Sequence, residues 1–295
     1  MKRKVVLHGP STLTVSLPVS WVKKFHVERG DELDVQEYGR ELRINADKSF
    51  SPGEKSIDIG NLRRVGRSSV TASYRQGHNE IRLAYDDPAY LGVIQDLVSK
   101  EMIGFETVKQ RNGECVIKDL AGHDRNEFDF GLNMLWRLLI DLSSESLDAL
   151  EKKSVQDLKN IPPLDDSVNK FTNYCLRLLT KKGHTDFNKT SLYYYLVKRL
   201  ESIGDLYKDM CFFYAHHVKM IDTELIFLLS TVNEHLAGLH ALFYGYDKEK
   251  AELLFSQTSD FSKKVILLER GSLWRIHSIC GGIRDLLSLL VDLNL

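Results

Sequence analysis

The spacing of apolar positions divides the chain into three stretches. Up to about residue 47 the period is two. Residues 4–7 and 13–17 read as strands around a His8-Gly9-Pro10-Ser11 turn. Pro18 then opens a short helix through Trp21, Val22 and Phe25, proline being tolerated in a first helical turn. After an Arg29-Gly30-Asp31 turn, residues 33–37 and 41–44 pair as a hairpin across Tyr38-Gly39-Arg40. Four short strands and one helical turn bury too little apolar surface to stand alone, so pairing with a second copy is the expected remedy.

The middle stretch is mixed. Lys48-Ser49-Phe50-Ser51-Pro52-Gly53-Glu54 has the composition of a linker. Beyond it the pattern predicts a helix near 62–74, a strand over 80–85 and a helix over 90–102 started by Asp86-Asp87-Pro88. A hairpin follows, with strands at 104–108 and 115–117 about Arg111-Asn112-Gly113. Residues 57–122 thus form a small α+β segment without a catalytic constellation, and Arg63, Arg64 and Arg67 read as a solvated helix face.

From Phe128 onward the period is helical, with Leu135, Leu138, Leu139, Leu142 and Ala149 at three- and four-residue steps. Ile161-Pro162-Pro163 is expected to end the first helix and Asp165-Asp166 to cap the second, which Lys181-Lys182-Gly183-His184 stops. A third helix covers 190–218, and three more cover 223–244, 248–268 and 272–293. Laying residues 201–209 on 277–285 keeps a serine, an isoleucine, a basic residue and the last aspartate. Residues 124–295 therefore read as two three-helix repeats, 124–220 and 221–295.

Composition narrows the classes of function. The 295 residues carry a formal net charge of -1, so any nucleic-acid surface has to be local. Lys2, Arg3, Lys4, Lys23, Lys24 and Arg29 provide one, facing only Glu28 within the first thirty residues. Cys115, Cys175, Cys211 and Cys280 are scattered, which argues against a zinc site or a disulfide framework and fits a reducing, cytoplasmic setting. No secretory apolar run follows the basic start, and the apolar windows 225–243 and 283–295 are broken by charge and histidine or too short to insert in a membrane.

The candidate chemistry is a row of acids. Glu201, Asp205 and Asp209 recur every four residues on the third helix, where like charges repel unless a cation offsets them. A second stripe, Asp141, Glu145 and Asp148, runs along the first helix. In the second repeat Asp285 is retained, while His277 and Gly281 stand where the first has glutamate and aspartate. Such oxygen-rich stripes are either solvated faces or cation sites between bundle helices. His235 and His240, five apart, do not share a face, and His216-His217 read as helix-end residues. Glu-x-x-His pairs on the carboxylate helices, a glycine-rich phosphate loop and a nucleophile–base pair are all lacking, so an enzyme is not expected.

Leu200-Glu201-Ser202-Ile203-Gly204-Asp205 resembles the signature of the PhoU family of phosphate-uptake regulators. That likeness implies tandem three-helix bundles with acidic motifs that bind metal clusters: Glu201, Asp205, Asp209 and Asp285, then Asp141, Glu145, Asp148 and His277, holding iron, zinc, manganese or magnesium. The order Leu17-Pro18, a helix ending in Lys23-Lys24 and Gly30-Asp31 before a strand is similar to swapped-hairpin AbrB/SpoVT/MazE DNA-binding domains, as in archaeal PhoU-like proteins. It implies that residues 1–47 form a dimeric β-barrel binding double-stranded DNA through Arg3, Lys4, Lys23 and Lys24. Where such domains often carry Gly-Arg, this chain has Gly9-Pro10-Ser11-Thr12, which removes one DNA arginine.

Together these imply a multidomain α+β protein: an AbrB-like swapped-hairpin barrel, a small α+β segment and an all-α PhoU-like domain. The function they imply is a cytoplasmic, homodimeric, phosphate-responsive regulator of transcription or phosphate uptake. The alternative is an interaction protein whose first domain only dimerises while the bundle acts on a phosphate ABC transporter or signalling proteins.

Overall fold

The computed structural model describes residues 1–38, 41–46, 53–60, 63–121 and 127–295. The hairpin turn at Gly39-Arg40, most of the linker at 48–54, the first residue of the helix expected from 62 and the boundary expected at 122–124 lie outside them. The chain forms two compact units, Met1–Phe50 and Ser51–Leu295.

In the first unit β1 (Val5–His8) and β2 (Thr12–Val15) pair antiparallel, with Val5 opposite Val15 and Leu7 opposite Leu13. Because side chains alternate across a strand, these four apolar residues share one face. Helix α1 (Val19–Lys24) follows Pro18, and β3 (Asp34–Tyr38) pairs with β4 (Glu41–Asn45). The two hairpins remain separate two-stranded sheets, with no closed barrel among the described residues. None of residues 1–33 is buried: Val5, Leu7 and Leu13 are 65%, 60% and 69% exposed.

The second unit is mixed. Strand β5 (Glu54–Gly60), absent from the sequence expectation, pairs parallel with β6 (Glu80–Tyr85) across α2 (Arg63–Arg75). After α3 (Tyr90–Glu101), β7 (Phe105–Arg111) and β8 (Glu114–Asp119) complete a sheet of order β5-β6-β8-β7. The expected Asn112-Gly113 turn joins the last two strands, Gly113 at φ 78. Ile81, Leu83, Tyr85, Cys115 and Ile117 meet Val70, Tyr74, Ile94 and Leu97 in one core. The segment extends further N-terminal than residue 57, since β5 begins at Glu54.

Six long helices follow: α4 (Glu127–Glu151), α5 (Val155–Lys182), α6 (Thr190–His216), α7 (Thr223–Tyr244), α8 (Lys248–Leu267) and α9 (Trp274–Asn294). Helices α4, α6, α7 and α9 pack on one another, α5 flanks α4 and α6, and α8 flanks α7 and α9. At the junction Tyr207 donates to Asn233 Oδ1 (2.6 Å), and Asn233 donates to the Ser143 carbonyl (2.8 Å), tying α6, α7 and α4 together. By length and composition α7 could cross a bilayer, yet Leu225, Leu229, Val232, Leu236 and Leu239 are fully buried in the bundle core.

The break between the first two long helices lies elsewhere than expected, and the third ends at His216, short of residue 218. The first helix ends at Glu151, where Lys153 takes a positive φ of 50 and the Ser154 hydroxyl caps the next by accepting from the Asp157 amide. Helix α5 then runs straight through Pro162 and Pro163. Each interior proline removes an intrahelical hydrogen bond, a cost of about 3 kcal/mol. Burial offsets it: Leu158, Ile161, Val168, Cys175 and Leu176 are at most 2% exposed, each large aliphatic contributing about 1.5–3 kcal/mol. Asp165, expected as a cap, therefore lies inside a helix.

Helix α5 also carries the α+β segment. Arg177, fully buried, donates to the Tyr74 and His78 carbonyls (2.8 Å each), to Asn79 Oδ1 (3.0 Å) and to Asp119 Oδ2 (2.9 Å). Its guanidinium lies over the Tyr74 and Phe105 rings, 4.9 and 4.8 Å from their centroids. Lys170 and Asn173 donate to the Ser99 and Glu101 carbonyls at the end of α3.

Candidate functional site

The expected acidic row lies on α6, and packing gives most of it cationic partners. Glu201 accepts from Lys198 one turn earlier at 2.6 Å. Asp205 is ion-paired with Lys208, whose ammonium also reaches Asp165 on α5 at 2.7 Å. Asp209 is exposed. On α9, Asp285 is paired at 2.7 Å with Arg199 of α6, so the two copies of the repeated motif face each other. Gly282 allows this approach, since a Cβ there would stand 2.8 Å from the Ile203 side chain. Gly282 thus lets two helices touch, whereas a Cβ at Gly281 would meet nothing within 4 Å.

Asp165 is the residue that sequence reasoning missed. It is fully buried. Asn169 donates to its Oδ2 at 2.9 Å, beside the Lys208 bond, while Oδ1 has no hydrogen-bond partner and faces Gly204, whose Cβ position would lie 3.3 Å away. Burial pushes the Asp165 carboxyl above the usual aspartate range, against the pull of Lys208. Burial also works to discharge Lys208, but its bonds to Asp165 and Asp205 outweigh that and hold the ammonium charged, above the usual lysine range. The Pro162-Pro163 pair hid this residue, because it suggested a chain break where the helix continues. The i,i+3 spacing of Asp205 and Lys208 was the visible half of the signal.

The second stripe lines an open groove of about 590 Å³ between α4 and α5, with Asp141, Glu145, Asp148, Asp157 and Lys152 above a floor that includes Leu138 and Ile161. Asp141 and Asp148 are 62% and 52% exposed and sit at loose ion-pair distances of 4.0 and 3.9 Å from Arg137 and Lys152. His277 shares a 2.8 Å hydrogen bond with Ser262 across α8 and α9. Among the described residues no three histidine, cysteine, aspartate or glutamate side chains converge where they could hold a metal ion. Three of the acids in and opposite the row are thus paired with ammonium or guanidinium groups, those of Lys198, Lys208 and Arg199.

Four further histidines make ring contacts or bond backbone carbonyls within the bundle. His240 packs on Trp136 at 5.3 Å, and His235 meets Phe261 edge-on at 5.5 Å. His216 and His217 bond the Phe212 and Phe213 carbonyls at the end of α6. All four cysteines are free and buried.

In the first unit Arg3 and Lys4 precede β1, Lys23 and Lys24 form the last turn of α1, and all four are exposed. Compared with known proteins, the chain matches no family model, no curated protein and no solved structure.

Proposed function

We propose that this protein is a homodimeric, DNA-binding regulator of the cytoplasm, whose helical unit responds to phosphate status through a protein partner. The observation that carries the reading is the first unit: Val5, Leu7, Leu13 and Val15 share one face of a hairpin with no core of its own, amid exposed basic residues. Fully burying aliphatic side chains is worth about 1.5–3 kcal/mol each, so this face favours a second hairpin of the same kind. Pairing of two such modules into a closed barrel would leave Arg3, Lys4, Lys23 and Lys24 of both copies to contact phosphates. The PhoU-like motif and the paired three-helix repeats support the regulatory half.

The Gly9-Pro10-Ser11 turn between β1 and β2, which lacks a basic side chain, favours a second reading. In it the first unit only dimerises, and the bundle regulates a phosphate transporter or its signalling proteins.

A gel-shift titration at several salt concentrations separates the two. The first reading expects duplex binding whose affinity falls steeply with salt, with Lys23→Ala/Lys24→Ala weakening it across all sequences while the protein stays dimeric. Absence of salt-sensitive binding by the unaltered dimer would leave the second.

A further inference from the structure

Two carboxylates from adjacent helices, Asp165 of α5 and Asp205 of α6, meet a single ammonium, that of Lys208. Asp165 is fully buried, its Oδ1 lacks a hydrogen-bond partner, and it points at Gly204, the one residue type that leaves the space beside it open. Burying a carboxylate is costly unless it is paired and hydrogen-bonded, so the seam demands a cation. The Lys208 side chain is 29% exposed, so a route to solvent exists. Removing the ammonium would leave two carboxylates, one with an uncommitted oxygen, and no soft ligand. That donor set suits a hard divalent ion such as Mg²⁺ or Mn²⁺.

We infer that the α5–α6 seam is a cation site occupied by the Lys208 ammonium, and that this tethered charge excludes divalent metal from Asp165 and Asp205. Bundle integrity in the unaltered protein then depends on Lys208 and not on metal supply. The inference rests on the seam alone and stands whether or not the protein binds DNA.

The test uses the full chain and Mn²⁺, with free ion followed by electron paramagnetic resonance. Lys208→Ala should take up a Mn²⁺ that the unaltered protein does not, and Lys208→Ala/Asp165→Asn should lose that gain by at least about tenfold in affinity. Thermal unfolding supplies the independent readout: Mn²⁺ should raise the midpoint of Lys208→Ala, or restore its folded circular dichroism if it is unfolded without metal. It should do neither for the double variant. Equal uptake by Lys208→Ala and the unaltered protein would overturn the inference. So would added uptake that survives Asp165→Asn, or a Lys208→Ala protein that stays unfolded at saturating Mn²⁺.

Discussion

Lys208 shows how one side chain can change what a motif means. The Glu201, Asp205, Asp209 spacing on α6 is that of a cation site, but Lys198 and Lys208 answer two of those acids and Arg199 answers Asp285 across the seam. Histidine makes a second residue-scale case. Burial holds both His235 and His240 below the usual imidazole value, with Glu234 opposing this at His235. In the unfolded chain they take up protons near pH 6.5, whereas in the fold they stay neutral to lower pH. Unfolding then binds protons, so their contribution is complete above about pH 6.5 and is lost as pH falls through the folded values. Urea midpoints between pH 7.5 and 5 should therefore drop for the unaltered protein, and the drop should be shallower in His235→Gln/His240→Gln. An unchanged slope would mean that carboxylates alone set the acid limit.

Among the elements, α5 carries the most obligations. One face packs into the bundle, another receives α2 and α3, and its polar residues Asn173 and Arg177 are buried for that purpose. Arg177 serves two carbonyls, one amide and one carboxylate from three separate places in the α+β segment. Arg177→Met keeps much of the apolar stem but strips the guanidinium from a buried carboxylate, which typically costs about 3–5 kcal/mol. Denaturant unfolding should show a loss of that size. Proteolysis should cut first within the α+β segment, because α5 retains its contacts with α4 and α6. A loss under about 1 kcal/mol would show that the packing of α2 and α3 on α5 holds this docking without the guanidinium.

At the scale of the whole molecule the two units pose opposite problems. The second buries an extensive core in one chain; in the first, none of residues 1–33 is buried. On the proposed dimer, the second unit is stable alone and the stability of the first depends on concentration. Sedimentation should therefore give a dimer for the full chain, and residues 51–295 should remain folded while losing the contribution of the hairpin module to association. Leu7→Asp/Leu13→Asp should likewise weaken the dimer and leave the helical unfolding transition in place. A full chain that is monomeric at every concentration measured would remove the basis for the proposed barrel.

Local repetition determined much of this protein. The hairpin strands, the Asn112-Gly113 turn and the six long helices all follow from periods of two and 3.6 residues and from turn chemistry acting over a few positions. Where strong local signals misled, packing had overruled them: Pro162 and Pro163 look like a stop, yet apolar burial on both sides keeps α5 continuous. The parallel pairing of β5 with β6 was hidden too, since Glu54–Gly60 alternates weakly and finds its partner only across a helix. Tertiary structure alone decided the fate of the acids. Lys208 and Asp165 are 43 residues apart, and no local rule brings them together. Whether a row of carboxylates waits for a metal or already has its counter-charge depends on which helix packs beside it, because charge pairing acts through space and only helix periodicity can be read along the chain.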